Sequence, residues 1–344
     1  MQEKKFLKAG VLTLFLVAGF LIFWEYHWRS KGFPIAYNDD DALWAEKRSE
    51  VYAPSSSATV FIGSSRIKFD LDISMWERIT GEKAIQLSMV GTSPRPLLQD
   101  LANDEKFKGK LIIDVTEPLF FMRNTKRSEK SAQEGIAYYK KWTPSQRVSS
   151  LIDHKLESQF VFLEEKSFGM NALLQDLQIP SRKGVFSFPI FPKEFEMMNI
   201  NRQAFMTDMF LKDTALQNRQ TRNWTILGAL DKTPAIKGDS LIAVFKEVKT
   251  AIDKIRARGG KVMFVRTPSS GGYIETENVV YPKNEYWDAL LAYTQTDGIH
   301  FTDYPETSHF ICPEWSHLAS SDVVIYTKNL IAELQKKGWF FRNQ

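Results

Sequence analysis

Two short stretches, about 250 residues apart, hold the residue types that serine-based acyl chemistry requires. Val60-Phe61-Ile62-Gly63-Ser64-Ser65-Arg66 ends an apolar, β-branched run in a glycine, two hydroxyls and an arginine. Cys312-Pro313-Glu314-Trp315-Ser316-His317-Leu318 offers a carboxylate and an imidazole three residues apart. A serine hydroxyl is a poor nucleophile until an imidazole takes its proton, and the imidazole needs a carboxylate to hold its tautomer and stabilise its charged form. Ser65, His317 and Glu314 are the candidates for those catalytic roles, provided the fold brings the two stretches together. Each candidate also has an ordinary reading. Ser64 and Ser65 can cap the helix after the strand, His317 can be a hydrogen-bonded structural residue, and Arg66 can bind a substrate anion or pair with a surface carboxylate.

Other chemistries find less support. His300, Asp303, His309 and His317 have a spacing that matches no simple helical or strand presentation of metal ligands, so neither a metal nor another cofactor is expected. The single cysteine, Cys312, excludes an internal disulfide and a multi-cysteine metal site, and needs no role beyond packing. Asn38-Asp39-Asp40-Asp41 lacks the spacers and glycine turn of a calcium loop and reads as a helix cap or solvated turn. A net charge of +4, with basic and acidic residues interspersed, gives no nucleic-acid footprint. Tyr273 and Trp287, near the last loops, are placed either to stack on a sugar ring or to pack in the core.

The elements that must position these residues begin at residue 58. From there strand-like runs at 58–62, 84–87, 110–115, 261–266 and 299–301 alternate with helical spacing at 73–79, 96–102, 241–258 and 320–337. That alternation predicts an α/β domain with a mainly parallel sheet covered on both faces, a three-layer sandwich. Open sheets of this kind place their chemistry at the carboxyl ends of the strands, where Gly63 turns the chain. The loops 88–94, with Gly91, and 267–272 end two further strands at that edge. Residues 120–238 break the alternation and read as a large inserted helical cap, with helical patches at 133–141 and 149–165. Within it, Phe186, Phe188, Phe191, Phe195, Met197 and Met198 either line an apolar channel, touch a membrane surface or pack the insertion onto the main domain.

At the N-terminus, Ala9 to Trp24 runs sixteen residues without a charge, about 24 Å as a helix. Phe6 and Leu7 extend it past a Lys8 that can snorkel, and Tyr26 and Trp28 stand where an aromatic belt would sit. With no small-x-small cleavage site after it, the segment reads as an uncleaved transmembrane anchor rather than a removed signal. Lys4, Lys5 and Lys8 precede it, which places the N-terminus in the cytoplasm and the rest of the chain outside. The expected organisation is an anchor over 1–28, a polar tether over 29–57, and a domain over 58–344 carrying the insertion.

Taken in order, Gly63-Ser64-Ser65, the Gly91 loop and Glu314-x-x-His317 before the terminal helix resemble the SGNH (GDSL-like) hydrolase superfamily, over about 58–115 and 241–334. The resemblance implies an SGNH, flavodoxin-like fold in which Ser65 is the nucleophile, His317 the base and Glu314 the orienting acid. It implies an oxyanion hole built from Ser65 and Gly91. Two positions depart from the family pattern: Glu314 stands where aspartate is usual, and 113–118 has no asparagine, which leaves Thr116 as the third donor. Gly-Ser-Ser in place of Gly-Asp-Ser is similar to a membrane-anchored branch that assists O-acylation of envelope polymers, including the D-alanylation accessory protein of teichoic acids and alginate O-acetyltransferases. The activity this resemblance implies is that of an O-acyltransferase or carboxylic ester hydrolase acting on an acylated glycan through an acyl-Ser65 intermediate, with Arg66, Tyr273 and Trp287 as substrate contacts. A second expectation is a non-catalytic accessory or binding partner of an integral membrane acyltransferase.

Overall fold

The computed structural model describes residues 2–54, 57–122, 126–177, 182, 184–186, 188–230 and 233–340. Its strands, in chain order, are β1 (Ala58–Ile62), β2 (Lys83–Gln86), β3 (Lys110–Asp114), β4 (Met197–Met198), β5 (Ala204–Phe205), β6 (Lys261–Arg266) and β7 (Gly298–His300). Five of them form one parallel sheet in the order β2-β1-β3-β6-β7, and β4 and β5 pair as a small antiparallel hairpin inside the insertion. The five strands of the parallel sheet lie within one residue of the positions their apolar runs predict, whereas no such run predicts the β4–β5 hairpin.

Strands buried on both faces need apolar residues at successive positions, which is why these runs do not alternate. Val60, Ile62, Leu111, Ile113 and Phe264 face one core, filled from the Arg95–Asn103, Asp239–Ala257 and Trp287–Thr294 helices by residues such as Leu98, Val248 and Leu290. Phe61, Ile112, Met263 and Val265 face the other, filled by Trp76 of the Ile73–Thr80 helix and Tyr326 and Leu330 of the Ser320–Lys336 helix. Each such side chain stabilises the fold by roughly 1.5–3 kcal/mol relative to exposure. Gly81 ends the Ile73–Thr80 helix at φ +69°, a conformation that costs a residue with a Cβ.

The N-terminal segment forms one helix, Gln2–Ser30, long and apolar enough over Lys4–Ser30 to cross a membrane. Its last turns dock on the insertion: Trp28 is buried with Phe33, Phe168 and Met197, and the Glu25 carboxylate accepts the N–H of Val161 at 2.9 Å. The segment after it differs from the expected tether. Asp40 does cap a helix, Asp41–Ser49, accepting from Leu43 N at 2.8 Å, but that helix is built into the domain. Trp44 is buried and donates from Nε1 to Leu87 O (3.0 Å), and Arg48 pairs with Asp100 (2.9 Å) and Asp104 (2.8 Å). Asp39 is not a solvated turn residue either. It bridges Lys68 and Arg202 (2.7 Å), both of them buried. A polar run looks like a tether because its partners lie far off in sequence.

The insertion carries the helices Lys126–Lys140, Pro144–Glu157 and Thr214–Leu230. Of the phenylalanine-rich piece within it, residues 179–181, 183 and 187 lie outside the described residues. Phe195, Met197 and Met198 are buried, as packing predicts, whereas Phe186 and Phe188 are exposed.

Candidate functional site

Gly63 is a glycine because of what surrounds it. A Cβ there would lie 2.6 Å from Ile67 Cγ2 and 2.7 Å from Asp114 Cβ, so only a bare backbone lets the chain turn from β1 into the Ser65–Phe69 helix. The two serines after it separate in role. Ser64 is buried, and its hydroxyl lies 2.6 Å from that of Thr116, which donates to Asp114 Oδ2 (3.1 Å). Since the Thr116 proton is committed to the carboxylate, Ser64 is the donor to Thr116, and its oxygen caps the helix by accepting from Arg66 N (3.4 Å). Ser64 is thus the structural serine. Ser65, at the first helical position, is half-buried and keeps its hydroxyl out of that network.

The opposing group is a buried imidazole–carboxylate pair. Glu314 Oε1 accepts from His317 Nδ1 at 2.9 Å and from the N–H groups of Ser316 (3.2 Å) and His317 (2.6 Å), while Oε2 accepts from Trp224 Nε1. The glutamate reaches the imidazole despite its extra methylene because it folds back over its own loop. With Nδ1–H held by Glu314, Nε2 is left as the basic nitrogen, and among the described residues it is buried with no hydrogen-bond partner. The Phe69 ring lies 4.2 Å from the imidazole centroid, with Phe195 at 5.9 Å and Trp224 at 6.4 Å. Ser65 and Phe69 are i and i+4 on one helix face, so the helix that Ser65 begins is the one whose Phe69 packs on the imidazole. No hydrogen bond joins Ser65 Oγ to Nε2 here; such contacts commonly tighten only when substrate engages.

The loop is fixed from several sides. Leu318 N donates to Asp70 Oδ1 (2.9 Å), at the end of the Ser65–Phe69 helix, and burial pushes the Asp70 carboxyl well above its ordinary range. Ser270 N donates to Trp315 O (2.9 Å), and Trp315 adopts φ +79° with its indole against Gly271, where a Cβ would come within 2.3 Å of the ring. A tryptophan in the left-handed region persists only where its surroundings over-determine it.

The sheet order places the three candidate oxyanion donors side by side, since the loops after β2, β1 and β3 carry Gly91, Ser65 and Thr116. Their backbone N–H groups have no hydrogen-bond partner among the described residues, and Gly91 is exposed at φ +61°. The Thr116 hydroxyl is not available as a donor, being committed to Asp114.

Two substrate-contact expectations are corrected. Arg66 is neither a surface residue nor open to a ligand. It is fully buried, bonded to Glu277 and 4.0 Å from Glu117, in a ring that Arg266 completes through Glu117 (2.9 Å) and Glu277 (2.5 Å). Trp287 lies in the sheet core against His300 (5.2 Å) and Gly298 and has no face to offer a sugar. Tyr273 packs beside the Glu314-bonded Trp224, its ring 6.1 Å away and under the Arg66 guanidinium (5.6 Å). The histidines considered as metal ligands have separate surroundings: His300 pairs with Thr302, His309 with Pro305 O, and His317 with Glu314.

Trp224 has no sequence signal, since its helix comes from the insertion 90 residues before Glu314. Trp224→Phe keeps most of the ring and deletes only the donor, leaving a buried carboxylate oxygen uncompensated. A loss of roughly 1–3 kcal/mol in unfolding free energy is expected by denaturant titration. An unchanged midpoint would mean the indole merely fills space.

Asp114 provides a pH signature. Burial pushes its carboxyl up from 3.8 to about 6, against the opposing pull of Arg66 and Arg266. Between these values the unfolded chain has released the proton while the folded chain retains it, so this group lowers stability as pH rises through the window. Relative to Asp114→Asn, the native chain should lose about 3 kcal/mol between about pH 4 and pH 7. A difference that stays flat with pH would assign the titration elsewhere.

No protein-family model and no curated protein sequence matches the chain, so its chemistry is read from its own geometry.

Proposed function

We propose that this chain is a membrane-anchored acyltransferase or esterase with an SGNH-type, three-layer domain outside the cytoplasm, acting through an acyl-Ser65 intermediate on an acylated envelope glycan. The observation that carries this reading is the buried His317–Glu314 pair, with its Nε2 unpartnered among the described residues and its ring packed on Phe69 of the helix that Ser65 begins. A structural histidine normally satisfies both ring nitrogens when buried. The two covered sheet faces and the basic residues before the uncharged run of the N-terminal helix support the layer architecture and the orientation.

In this reading Ser65 Oγ attacks the ester carbonyl as His317 Nε2 takes its proton, and Glu314 stabilises the resulting imidazolium. The N–H groups of Ser65, Gly91 and Thr116 face the negative charge that develops on the carbonyl oxygen, which matters because one such donor is worth roughly 3–4 kcal/mol of barrier. Collapse expels the alcohol, protonated by His317, and leaves acyl-Ser65. Water or a second alcohol then attacks the acyl carbon, giving hydrolysis or transfer, and Ser65 recovers its proton. No metal or cofactor enters these steps.

The absence of a Ser65–His317 hydrogen bond favours a second reading, a non-catalytic domain serving an integral membrane acyltransferase. A fluorophosphonate probe separates the two. Catalysis predicts labelling of the full-length chain that is lost in Ser65→Ala and His317→Ala, whereas no labelling of the folded native chain favours the accessory role.

A further inference from the structure

The Pro144–Glu157 helix is divided between a face that packs and a face that does not. One face, with Ser150 and Glu157, is buried against the domain. The other exposes Val148 (57%), Leu151 (65%), Ile152 (56%) and Leu156 (45%), spaced i, i+3, i+4 and i+8, and Phe160 continues it. Such a contiguous stripe in water marks an interaction surface. Its place in the fold identifies the partner. Phe160 adjoins Val161, whose N–H is held by Glu25, and Gln159 O accepts from Arg29 Nη2 at 2.8 Å. Glu25 is the first charged residue after the uncharged run of the N-terminal helix, so the stripe is fastened where that helix would leave the hydrocarbon. Beyond the docking point, the Met170–Asp176 helix likewise exposes Met170 and Leu174, and the preceding Phe168 packs on Trp28 at 4.7 Å. Exposed Arg147 borders the stripe on one side and lies over the Trp142 ring at 4.5 Å, exposed Asp153 borders it on the other, and Lys155 stands among the apolar residues, its stem long enough to snorkel. Apolar residues interspersed with cations and an aromatic suit a helix lying in an anionic lipid interface.

We propose that the Pro144–Glu157 helix is a second membrane contact, lying in the headgroup layer of the leaflet from which the N-terminal helix emerges and holding the domain at a fixed attitude to an anionic lipid surface. This rests on the N-terminal helix crossing the bilayer and is independent of the acyl chemistry.

The only native cysteine, Cys312, is buried, so a fluorophore can be attached at introduced cysteines alone. The full-length chain, labelled in Ile152→Cys or, as control, Gln335→Cys, is reconstituted into phosphatidylethanolamine and phosphatidylglycerol vesicles with or without brominated acyl chains. Both positions are exposed, so the substitutions leave the core intact. The label at 152 is expected to be quenched about twofold or more by brominated lipid and protected from iodide, with the reverse at 335. Iodide quenching at 152 equal to that at 335 would overturn the proposal. So would protection from both quenchers, which would mean that protein, not lipid, covers the stripe.

Discussion

Ser65→Ala is expected to lower turnover of a simple acetyl ester by about 10⁴- to 10⁶-fold in the detergent-solubilised chain, the scale seen when a catalytic serine is removed. The same substitution should leave stability within about 0.5 kcal/mol, because the hydroxyl takes no part in the buried Ser64–Thr116–Asp114 network. That combination makes the result diagnostic. Ser64→Ala should behave in the opposite way, costing stability through an orphaned Thr116 while sparing the chemical step. His317→Ala should match the Ser65→Ala rate, and the double variant should be no slower than either, since the two act as a unit. Unchanged hydrolysis in Ser65→Ala would remove this residue from the mechanism.

The second large effect concerns the arch that ties the N-terminal segment to the sheet. Arg202 donates to Asp39 Oδ1 (2.7 Å), Gln86 O (2.8 Å) and Ser88 O (3.1 Å), and Lys68 pairs with the other Asp39 oxygen. Burial alone would raise the Asp39 carboxyl, but the two cations outweigh it and hold it far below the usual carboxylate range. The stabilisation is therefore present above about pH 4 and lost as pH falls further. Arg202→Met should cost about 3–5 kcal/mol, because it leaves Asp39 Oδ1 and two carbonyls without their donor in a buried site, with Lys68 alone on the carboxylate. Denaturant titration at neutral pH measures the loss. A cost below about 1 kcal/mol would show that water already reaches the arch. The loss should persist in high salt, since buried pairs are screened far less than surface ones.

These two sites also mark what could be read from the amino acids alone. The sheet was legible because buried parallel strands must be locally apolar, and 58–62 and 261–266 satisfy that within their own length. The Glu314–His317 pair was legible because it spans only three residues, and the turn at Gly63 that displays Ser65 was legible because a glycine at a strand end is a local signal. The rest depended on partners distant in sequence. Arg66 reads as a surface charge until Glu277, 211 residues later, is seen to close on it. Asp39 reads as solvated until Arg202 arrives from the insertion. Trp287 reads as either a sugar platform or a core residue because an aromatic beside a loop carries no mark of which way it faces. The Thr214–Leu230 helix gave little warning because its buried residues include Gln220 and Asn223, so no apolar stripe announces it.

The strand order has a consequence in time. β3 pairs with β6, joining Lys110 to Lys261 across the whole insertion. At synthesis rates of about 5–20 residues per second, some 150 residues must be made before that pairing can close, a delay of roughly 10–30 s. Until then the nascent sheet has an open β3 edge carrying Leu111, Ile112 and Ile113, the kind of edge that recruits other chains. His317 follows Ser65 by about 250 residues, so the imidazole–carboxylate pair is made well after the turn that carries the serine.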